Sequence, residues 1–311
     1  MFAGYEVIVV DRRPPPSKFV AGLARFVVGD VRDVDQQRGV MATAPIAAVV
    51  HLAGVKSVPE SMSDPYQYFD VNTVGTLRIL EAMQVAGIDS IVYSSSAAVY
   101  GQPETVPIRE SASLRPENPY GESKAASERL LAWWDRCIGV RHVALRYFNA
   151  AGAAADGRTG EPLAGAGNLV PVLLGSMLAD RPVQVYGTDY PTPDGTAIRD
   201  YIHVEDLAEA HVRAVEYLLG GGSSETLNLG TGQGASVADV VAAAEAVSGR
   251  RVRVERAARR PGDPPAVWAD PTRARQVLGW RAQRGLTEII ASAWRWHSSP
   301  GDHRSDDAPS G

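Results

Sequence analysis

The sequence has a single cysteine, few lysines and no long apolar run, and each shortage excludes a class of protein. Cys137 is alone among 311 residues, so no disulfide framework can form, and its helical context predicts a buried, unreactive thiol. No apolar stretch reaches the ~18 residues that span a bilayer, and no signal peptide opens the chain. With a net charge of −5, a nucleic-acid-binding surface is not expected either. We therefore expect a globular, cytoplasmic protein with no membrane or nucleic-acid partner.

Lysine supplies very little of the positive charge. The chain has 31 basic residues, and only Lys18, Lys56 and Lys124 are lysines. The two basic residue types are not interchangeable, because a buried lysine changes its pKa readily whereas arginine stays charged. Lys56 and Lys124 stand inside motifs described below, and both are therefore candidates for chemistry.

The N-terminal stretch lacks a glycine-rich loop. Glu6 to Val10 form an apolar, β-branched run that predicts a buried strand, and this strand ends at a lone carboxylate, Asp11. In dinucleotide-binding sheets such an acid follows the second strand, whereas a glycine-rich loop follows the first. We therefore expect a first strand and its loop, roughly 20 residues, to be missing from this sequence. A start assigned at an internal methionine and a true truncation both remain open.

Strand-like and helix-like segments alternate over the first half of the chain. Apolar runs such as VIVVD, SIVYSSS and HVALRY are separated by helical patterns. This alternation predicts an α/β fold with a doubly wound parallel sheet, its first strand missing. After Asn149 the alternation loosens. We assign residues 1–150 and 199–232 to a Rossmann-type dinucleotide-binding domain, residues 151–198 and 233–297 to a smaller substrate-binding cap, and residues 298–311 to a disordered tail.

A tyrosine and a lysine stand one helical turn apart at a predicted helix start. Tyr120 and Lys124 therefore share one face, and a nearby ammonium favours the phenolate, a base usable near neutral pH. A solvated helix start with Lys124 in water is the alternative. Ser94 and Ser96 end the preceding predicted strand on one side of it. We expect Ser96 to link the phenol to a substrate hydroxyl, since it projects further towards the strand end.

These residues carry a family resemblance. Ser96, Tyr120, Lys124 and the stretch HLAGVKSVPES resemble the extended short-chain dehydrogenase/reductases. Three longer stretches, RYFNAAGA, YGTDYPTPDGTAIRDYIHVEDLAEAH and RRPGDPPAVWAD, resemble the UDP-glucose 4-epimerases within that family. The resemblance extends from about residue 3 to residue 297, which is nearly the whole chain.

The resemblance implies that NAD is the cofactor. Asp11 matches an acid that binds the adenosine ribose diol and would repel the 2′-phosphate of NADP, although Arg12 and Arg13 could suit that phosphate. The remaining matches to cofactor contacts are Asp30, Val31, Leu52, Ala53, Gly54, Lys56, Asn72, Ser94, Tyr120, Lys124 and Tyr147.

The resemblance also implies a UDP-hexose as the substrate. Arginine suits a diphosphate because its planar guanidinium binds two oxygens at once. Val267 stands where a tyrosine is common in similar bacterial enzymes, and a smaller residue leaves room for an N-acetyl group. The matches to substrate contacts are Ser96, Asn149, Asn168, Leu169, Gln184, Val185, Tyr186, Arg199, Arg260, Asp263 and Val267.

The implied activity is the NAD-dependent 4-epimerisation of UDP-glucose and UDP-galactose through a transient 4-keto sugar, catalysed by Tyr120, Lys124 and Ser96 in a homodimer. A nucleotide-sugar 4,6-dehydratase needs an acid pair after the strand-end hydroxyl, where Ala97 and Ala98 stand instead. Another UDP-sugar epimerase stays open. So does a catalytically impaired fragment or a non-catalytic NAD- or UDP-sugar-binding protein, because the glycine-rich loop is absent.

No metal site is predicted from the histidines. His203 and His211 stand eight residues apart with acids between them, but no third ligand follows at a suitable spacing. We expect His203 at a helix start, His211 on a packed helix face, and His51 in the core.

Overall fold

The structure is a computed structural model that describes residues 4–15, 18–260 and 262–299. Its strands are β1 (Ile8–Asp11), β2 (Arg25–Val28), β3 (Val49–His51), β4 (Ser90–Ser96), β5 (Arg141–Tyr147), β6 (Asn149–Ala151), β7 (Val183–Tyr186), β8 (Ile198–Arg199), β9 (Tyr201–His203), β10 (Glu225–Leu229), β11 (Ala235–Ser236), β12 (Val254–Ala257) and β13 (Ala266–Val267).

Helices follow most of the strands. They are α1 (Lys18–Ala21), α2 (Val34–Met41), α3 (Val58–Ser63), α4 (Pro65–Tyr68), α5 (Gly75–Ala86), α6 (Pro119–Ile138), α7 (Leu169–Leu178), α8 (Val204–Leu219), α9 (Val237–Ser248), α10 (Thr272–Leu278) and α11 (Leu286–Ser298). A π-helical stretch (Phe69–Val74) leads into α5, and a 3₁₀ turn (Ala97–Tyr100) follows β4.

The centre of the fold is a parallel sheet in the order β10-β5-β4-β3. Successive side chains of a strand point to opposite faces, and both faces are covered here. Ile91 and Ala144 pack with α5 and α6 on one face, whereas Val92 and Val143 pack with α8 and α10 on the other. The predicted doubly wound α/β fold is therefore confirmed, and the carboxyl ends of its strands form one edge.

The first two strands form a separate parallel pair, in which Val10 lies opposite Val27. Within the described residues, β1 pairs only with β2, and β3 pairs only with β4, so hydrogen bonds do not join the two sheets. Apolar side chains near these strands are exposed, among them Val28 and Leu52. Two strand edges are therefore left without a ladder partner in the described part of the chain.

A second apolar cluster forms outside the central sheet. Helices α7, α9 and α11 contribute Leu173, Val240 and Ile289 to it. Around this cluster lie the small pairings β6 with β9, β7 with β12, and β8 between β11 and β13. These three helices lie within the residues assigned to the cap, and the division into domains stays a prediction.

Two expectations concern α6 and the end of the chain. The prediction of a buried Cys137 is wrong: the thiol is exposed, because it lies on the last turn of α6 before Gly139 ends the helix in a left-handed conformation. The predicted disordered tail, residues 298–311, lies outside the described residues except for Ser298 and Ser299. Among the helices described, none has the length and apolar character needed to cross a membrane.

Candidate active site

The start of α6 is fixed by its own sequence and by a close approach to the strand end. The Asn118 side chain caps the helix by accepting the Gly121 N–H at 2.9 Å, and Pro119 occupies the first helical position. A Cβ at Gly121 would lie 2.5 Å from the Ala98 carbonyl oxygen, so only glycine allows this packing. The first turn of α6, with Tyr120, therefore lies directly against the chain that follows β4.

Tyr120 and Lys124 meet the serines at the end of β4. The Lys124 ammonium donates to the Ser94 carbonyl oxygen at 2.9 Å and lies 5.1 Å from the centre of the Tyr93 ring. The Ser96 side chain lies close enough to the Tyr120 hydroxyl to favour its ionised form. The structure thus brings the predicted phenol, ammonium and hydroxyl together at the carboxyl end of one strand.

Burial controls the ionisation of this pair. It raises the pKa of Tyr120 to about 12, although the Ser96 hydroxyl acts in the opposite direction. Burial also lowers the pKa of Lys124 to about 8, against the effect of the Glu128 carboxylate. Without ligands Tyr120 is therefore protonated near neutral pH. The sequence-based argument underestimated desolvation, which disfavours a phenolate in a closed site.

Tyr147 and two histidines complete the surroundings of β4. The hydroxyls of Tyr147 and Ser94 form a short hydrogen bond, and burial raises the pKa of Tyr147. The Tyr147 ring packs edge-on against His211, with ring centres 6.1 Å apart. His51 is buried and its Nε2 lies 3.0 Å from the Thr76 hydroxyl, so the expectation of a core histidine is confirmed.

The predicted adenosine end lies at β1 and β2. Asp11 ends β1, where its carboxylate accepts the backbone N–H of Arg13 at 2.9 Å and remains half exposed. Asp30 follows β2, and two hydrogen bonds from the Arg32 guanidinium lower its pKa to about 2. Val31 is buried. The two acids therefore stand at neighbouring strand ends, as a ribose diol and an adenine would require.

The chain after β3 approaches α6 closely. A Cβ at Gly54 would lie 2.8 Å from Asn72 Oδ1 and 3.3 Å from the Lys124 ammonium, so the loop can pack this closely only because the residue carries no side chain. The Asn72 side chain is buried and bonded to the backbone N–H and carbonyl of Val55. Asn72 thus holds the loop after β3, beside Ala53 and the exposed Leu52. The half-exposed Asp11 carboxylate at the end of β1 offers an acceptor for a ribose diol, so the residues present fit NAD.

Lys56 and Asn168 line a cavity of about 430 Å³ and share one carboxylate. The Lys56 ammonium lies 3.0 Å from Glu161 Oε1, and the Asn168 amide donates to the same oxygen at 3.0 Å. Leu169 follows as the first residue of α7 and packs against the second apolar cluster. Two predicted ligand contacts therefore converge, and both are engaged by an acid that sequence reasoning did not identify.

The predicted uridine-diphosphate contacts lie on the small sheets. Arg199 forms an ion pair with Asp263, 64 residues away, and the Arg260 guanidinium lies 4.0 Å from the centre of the Tyr186 ring. Val267 lies opposite Arg199 in the β8–β13 register. Gln184 accepts the Tyr186 hydroxyl at 2.7 Å, Val185 is buried, and Asn149 begins β6.

Two further charged residues were missed in the sequence. Glu128 and Arg146 form a buried ion pair beneath Lys124, with the Glu128 Oε2 and an Arg146 nitrogen 2.5 Å apart. The only sequence signal was spacing, since Glu128 follows Lys124 by one helical turn. Among the described residues no cluster of side chains could hold a metal ion. His203 accepts the Glu205 N–H at the start of α8 and His211 packs on that helix, as expected.

Comparisons with known proteins identify the family of this chain. Residues 1–230 match the model of the NAD dependent epimerase/dehydratase family. A UDP-glucose 4-epimerase from Lacticaseibacillus casei is 44% identical over 300 residues, which cover 96% of this chain and 91% of the relative.

Two solved structures are also similar. A UDP-glucose 4-epimerase from Stenotrophomonas maltophila with bound NAD and formylated UDP-arabinopyranose has a TM-score of 0.91 and 41% identity, covering 94% of this chain and 91% of that one. A UDP-Glc/GlcNAc 4-epimerase from Campylobacter jejuni has a TM-score of 0.82 and 34% identity, covering 95% and 92%. Because the family model matches most of the chain, this protein belongs to the NAD dependent epimerase/dehydratase family.

Proposed function

We propose that this protein is an isomerase that interconverts UDP-glucose and UDP-galactose with NAD as its cofactor. The observation that carries the proposal is the meeting of Tyr120, Lys124 and Ser96 at the end of β4. The relatives named UDP-glucose 4-epimerase support the same reaction, since they match nearly the whole chain. The proposed function therefore rests on the chemistry of the site as well as on the similarity to these relatives.

The side chains of this site move and hold a proton. Tyr120 accepts the proton of the sugar 4-hydroxyl in its ionised form, which the neighbouring Ser96 side chain favours and burial disfavours. The Lys124 ammonium, held by the Ser94 carbonyl, favours the phenolate form of Tyr120 that this proton transfer requires. NAD would be held by Asp11 and Asp30 beside the ends of β1 and β2 and by the loop after β3, and when bound it would supply a reversible hydride acceptor for carbon 4 of the sugar.

The UDP portion supplies binding energy away from the reacting carbon. Arg199 and Arg260 offer planar guanidinium groups to the diphosphate, and Tyr186 offers an aromatic face beside β12. This remote binding leaves the hexose free to present either face, which epimerisation at carbon 4 requires. A dehydratase is not supported, because Ala97 and Ala98 occupy the 3₁₀ turn where elimination would need an acid and a base.

We assign the binding of NAD and of the nucleotide sugar to two different parts of the chain. Residues 1–150 and 199–232 would bind NAD along the strand ends of β1 to β5, and residues 151–198 and 233–297 would bind the nucleotide sugar. Support comes from the separate cluster formed by α7, α9 and α11. We also place the protein in the cytoplasm, where its single thiol needs no partner.

The exposed apolar side chains support a homodimer. Met62 and Tyr66 on α3 and α4, and Trp133 on α6, are all more than half exposed, and α3 and α4 pack against α6. Large apolar groups on adjoining helices are typical of protein interfaces. Light scattering should give twice the chain mass, and Tyr66→Glu with Trp133→Glu should give a monomer. A monomeric wild type would contradict this part of the proposal.

The activity is tested directly. The purified chain is incubated with saturating NAD and UDP-galactose, and UDP-glucose is measured by chromatography at several times. We expect conversion to continue until both sugars coexist, with no net change in NAD. Loss of water from the sugar would instead support the dehydratase, and binding of UDP without any turnover would support the non-catalytic alternative.

A further inference from the structure

A buried ion pair lies directly beneath the catalytic residues. Glu128 on α6 and Arg146 on β5 are 8% and 5% exposed, so both charges are removed from water. Glu128 accepts two hydrogen bonds from the Arg146 guanidinium, at 2.9 and 2.5 Å. Such a pair is costly to form, and replacement by apolar residues of similar volume is often neutral or stabilising. Stability alone therefore does not explain why this position is charged.

The same carboxylate is bonded to the strand that carries the catalytic serine. The Ser95 hydroxyl donates to Glu128 Oε1 at 2.5 Å. Ser94, the preceding residue, accepts from Lys124 through its carbonyl oxygen, and Ser96, the following one, contacts Tyr120. Ser94 and Ser95 are thus bonded to Lys124 and Glu128 on two successive turns of α6, and Ser96 lies beside Tyr120 on the turn before them. This ladder fixes how far the helix can slide or rotate along the strand.

Arg146 connects this ladder to the rest of the sheet. Its guanidinium donates to the Tyr100 hydroxyl at 2.9 Å, and Tyr100 donates to the Asn228 side chain at 2.7 Å on β10. The guanidinium carbon also lies 5.0 Å from the centre of the Tyr100 ring. Glu128 is therefore held by a group that is itself fixed, which makes the pair a rigid support.

We propose that Glu128 and Arg146 are positioning residues for the epimerisation: through Ser95 they set the register of α6 on β4, and so place Tyr120 and Lys124 against Ser96 and Ser94. The inference rests on the proposed function for its kinetic consequence. Its geometric consequence is the placement of Lys124, which can be followed by the titration of that lysine. The titratable groups that face Lys124 are Glu128 on α6, Tyr93 on β4 and His51 on β3.

The test uses four variants of the full chain. Glu128→Gln keeps the shape but removes the charge, Ser95→Ala removes the link to β4, and Glu128→Leu combined with Arg146→Met replaces the pair by apolar groups. Asp206→Asn is the matched control, because Asp206 is also a buried carboxylate paired with an arginine, but on α8. For each we measure kcat, KM for UDP-galactose, thermal unfolding, and the titration of Lys124.

The titration does not depend on catalysis. Only three lysines are present, so ¹³Cε-lysine labelling gives three resolvable NMR signals, which Lys18→Arg and Lys56→Arg assign.

We expect Glu128→Gln to lower kcat about 10- to 100-fold with KM nearly unchanged, because a displacement near 1 Å has effects of this size. We also expect a lower pKa for Lys124 in Glu128→Gln, a smaller loss of kcat in Ser95→Ala, and neither change in Asp206→Asn.

The apolar double variant separates positioning from stability. We expect it to unfold near the wild-type temperature yet to remain as slow as Glu128→Gln. Recovery of kcat in the double variant would overturn the proposal, as would an unchanged kcat and Lys124 titration in Glu128→Gln. If Glu128→Gln does not fold, the kcat values of the double variant and of Ser95→Ala test the proposal instead. An inactive wild type would contradict the proposed function. The Lys124 titration would still test whether Glu128 positions that lysine.

Discussion

Glu161 engages Lys56 and Asn168 at the same time, with its Oε1 atom 3.0 Å from the nitrogen of each side chain. Both partners are predicted to contact the cofactor or the substrate, whose phosphates carry negative charge. An anionic ligand group that binds there must therefore compete with the Glu161 carboxylate. The ion pair is partly exposed, so its strength is modest, of order 0.2–1 kcal/mol.

Removing this competitor should strengthen ligand binding. We expect Glu161→Gln to lower KM for UDP-glucose, or Kd for NAD, by about 2- to 5-fold, the change that such an ion pair allows. Isothermal titration with each ligand identifies which of the two is affected. Glu104→Gln, which removes an exposed ion pair with Arg115, is the control. Weaker binding in Glu161→Gln would show that the carboxylate supports the site instead.

The catalytic pair should be separable from substrate binding. We expect Tyr120→Phe combined with Lys124→Met to lower kcat by 10²-fold or more, since loss of acid–base catalysis has effects of about this size. UDP binding should stay within about 3-fold, because the UDP contacts lie on other elements. Tyr217→Phe, a change of the same kind on α8, serves as control. Near-normal turnover in the double variant would refute the assignment.

Lys124 should make stability depend on alkaline pH. Its pKa is about 8 in the folded chain and 10.5 ordinarily, so between these values the unfolded chain binds more protons. The free energy of unfolding should therefore rise with pH across this window, by about 2 kcal/mol between pH 8 and 10 from this group. Urea unfolding of wild type and Lys124→Met at both pH values measures the difference. Equal pH dependence in the two proteins would contradict the lowered pKa.

Val267 should admit a larger sugar. It is half-buried opposite Arg199, and valine has a smaller side chain than the tyrosine that is common at this position in similar enzymes. We expect measurable conversion of UDP-N-acetylglucosamine by the wild type, and its loss in Val267→Tyr through steric exclusion. The kcat/KM ratio of the two sugars is the readout, with UDP-glucose as the internal control. A wild type active on UDP-glucose alone would disprove the prediction.

The unpaired edges of β1 and β3 should weaken cofactor binding. In the described residues no strand pairs with these edges, and Val50 and Leu52 beside them are exposed, so the backbone here is held by fewer hydrogen bonds than in the central strands. We expect the 311-residue chain to purify with little NAD, measured after acid release. Grafting a strand and glycine-rich loop onto its N-terminus should raise retention. One NAD per chain without the graft would contradict the argument.

Much of the site follows from local patterns. The four-residue spacing of Tyr120 and Lys124 puts both on one helix face, and the apolar runs before Asp11 and Ser96 identify strand ends, because helix and strand periods are properties of neighbouring residues. The Ala97 and Ala98 positions likewise disfavour elimination from sequence alone. These features needed no knowledge of distant contacts.

Predictions made from local sequence patterns were wrong where the burial of a side chain determines its state. The sequence suggested that Lys124 would ionise Tyr120, yet desolvation raises the pKa of Tyr120 to about 12. Cys137 was expected inside, and the last turn of α6 exposes it. Whether a group is desolvated depends on every element packed around it, which no short stretch specifies.

What the sequence by itself determined, then, is the alternation of strands and helices around the central sheet and the candidates for the reacting groups, since both depend on short-range spacing. Only the tertiary structure decided which charges meet. Glu161 reaches Lys56 across 105 residues and Asp263 reaches Arg199 across 64. Glu128 is joined to both Ser95 and Arg146 beneath the catalytic pair. Such partners are selected by packing in three dimensions, because a charge removed from water must find a complement wherever the fold places one.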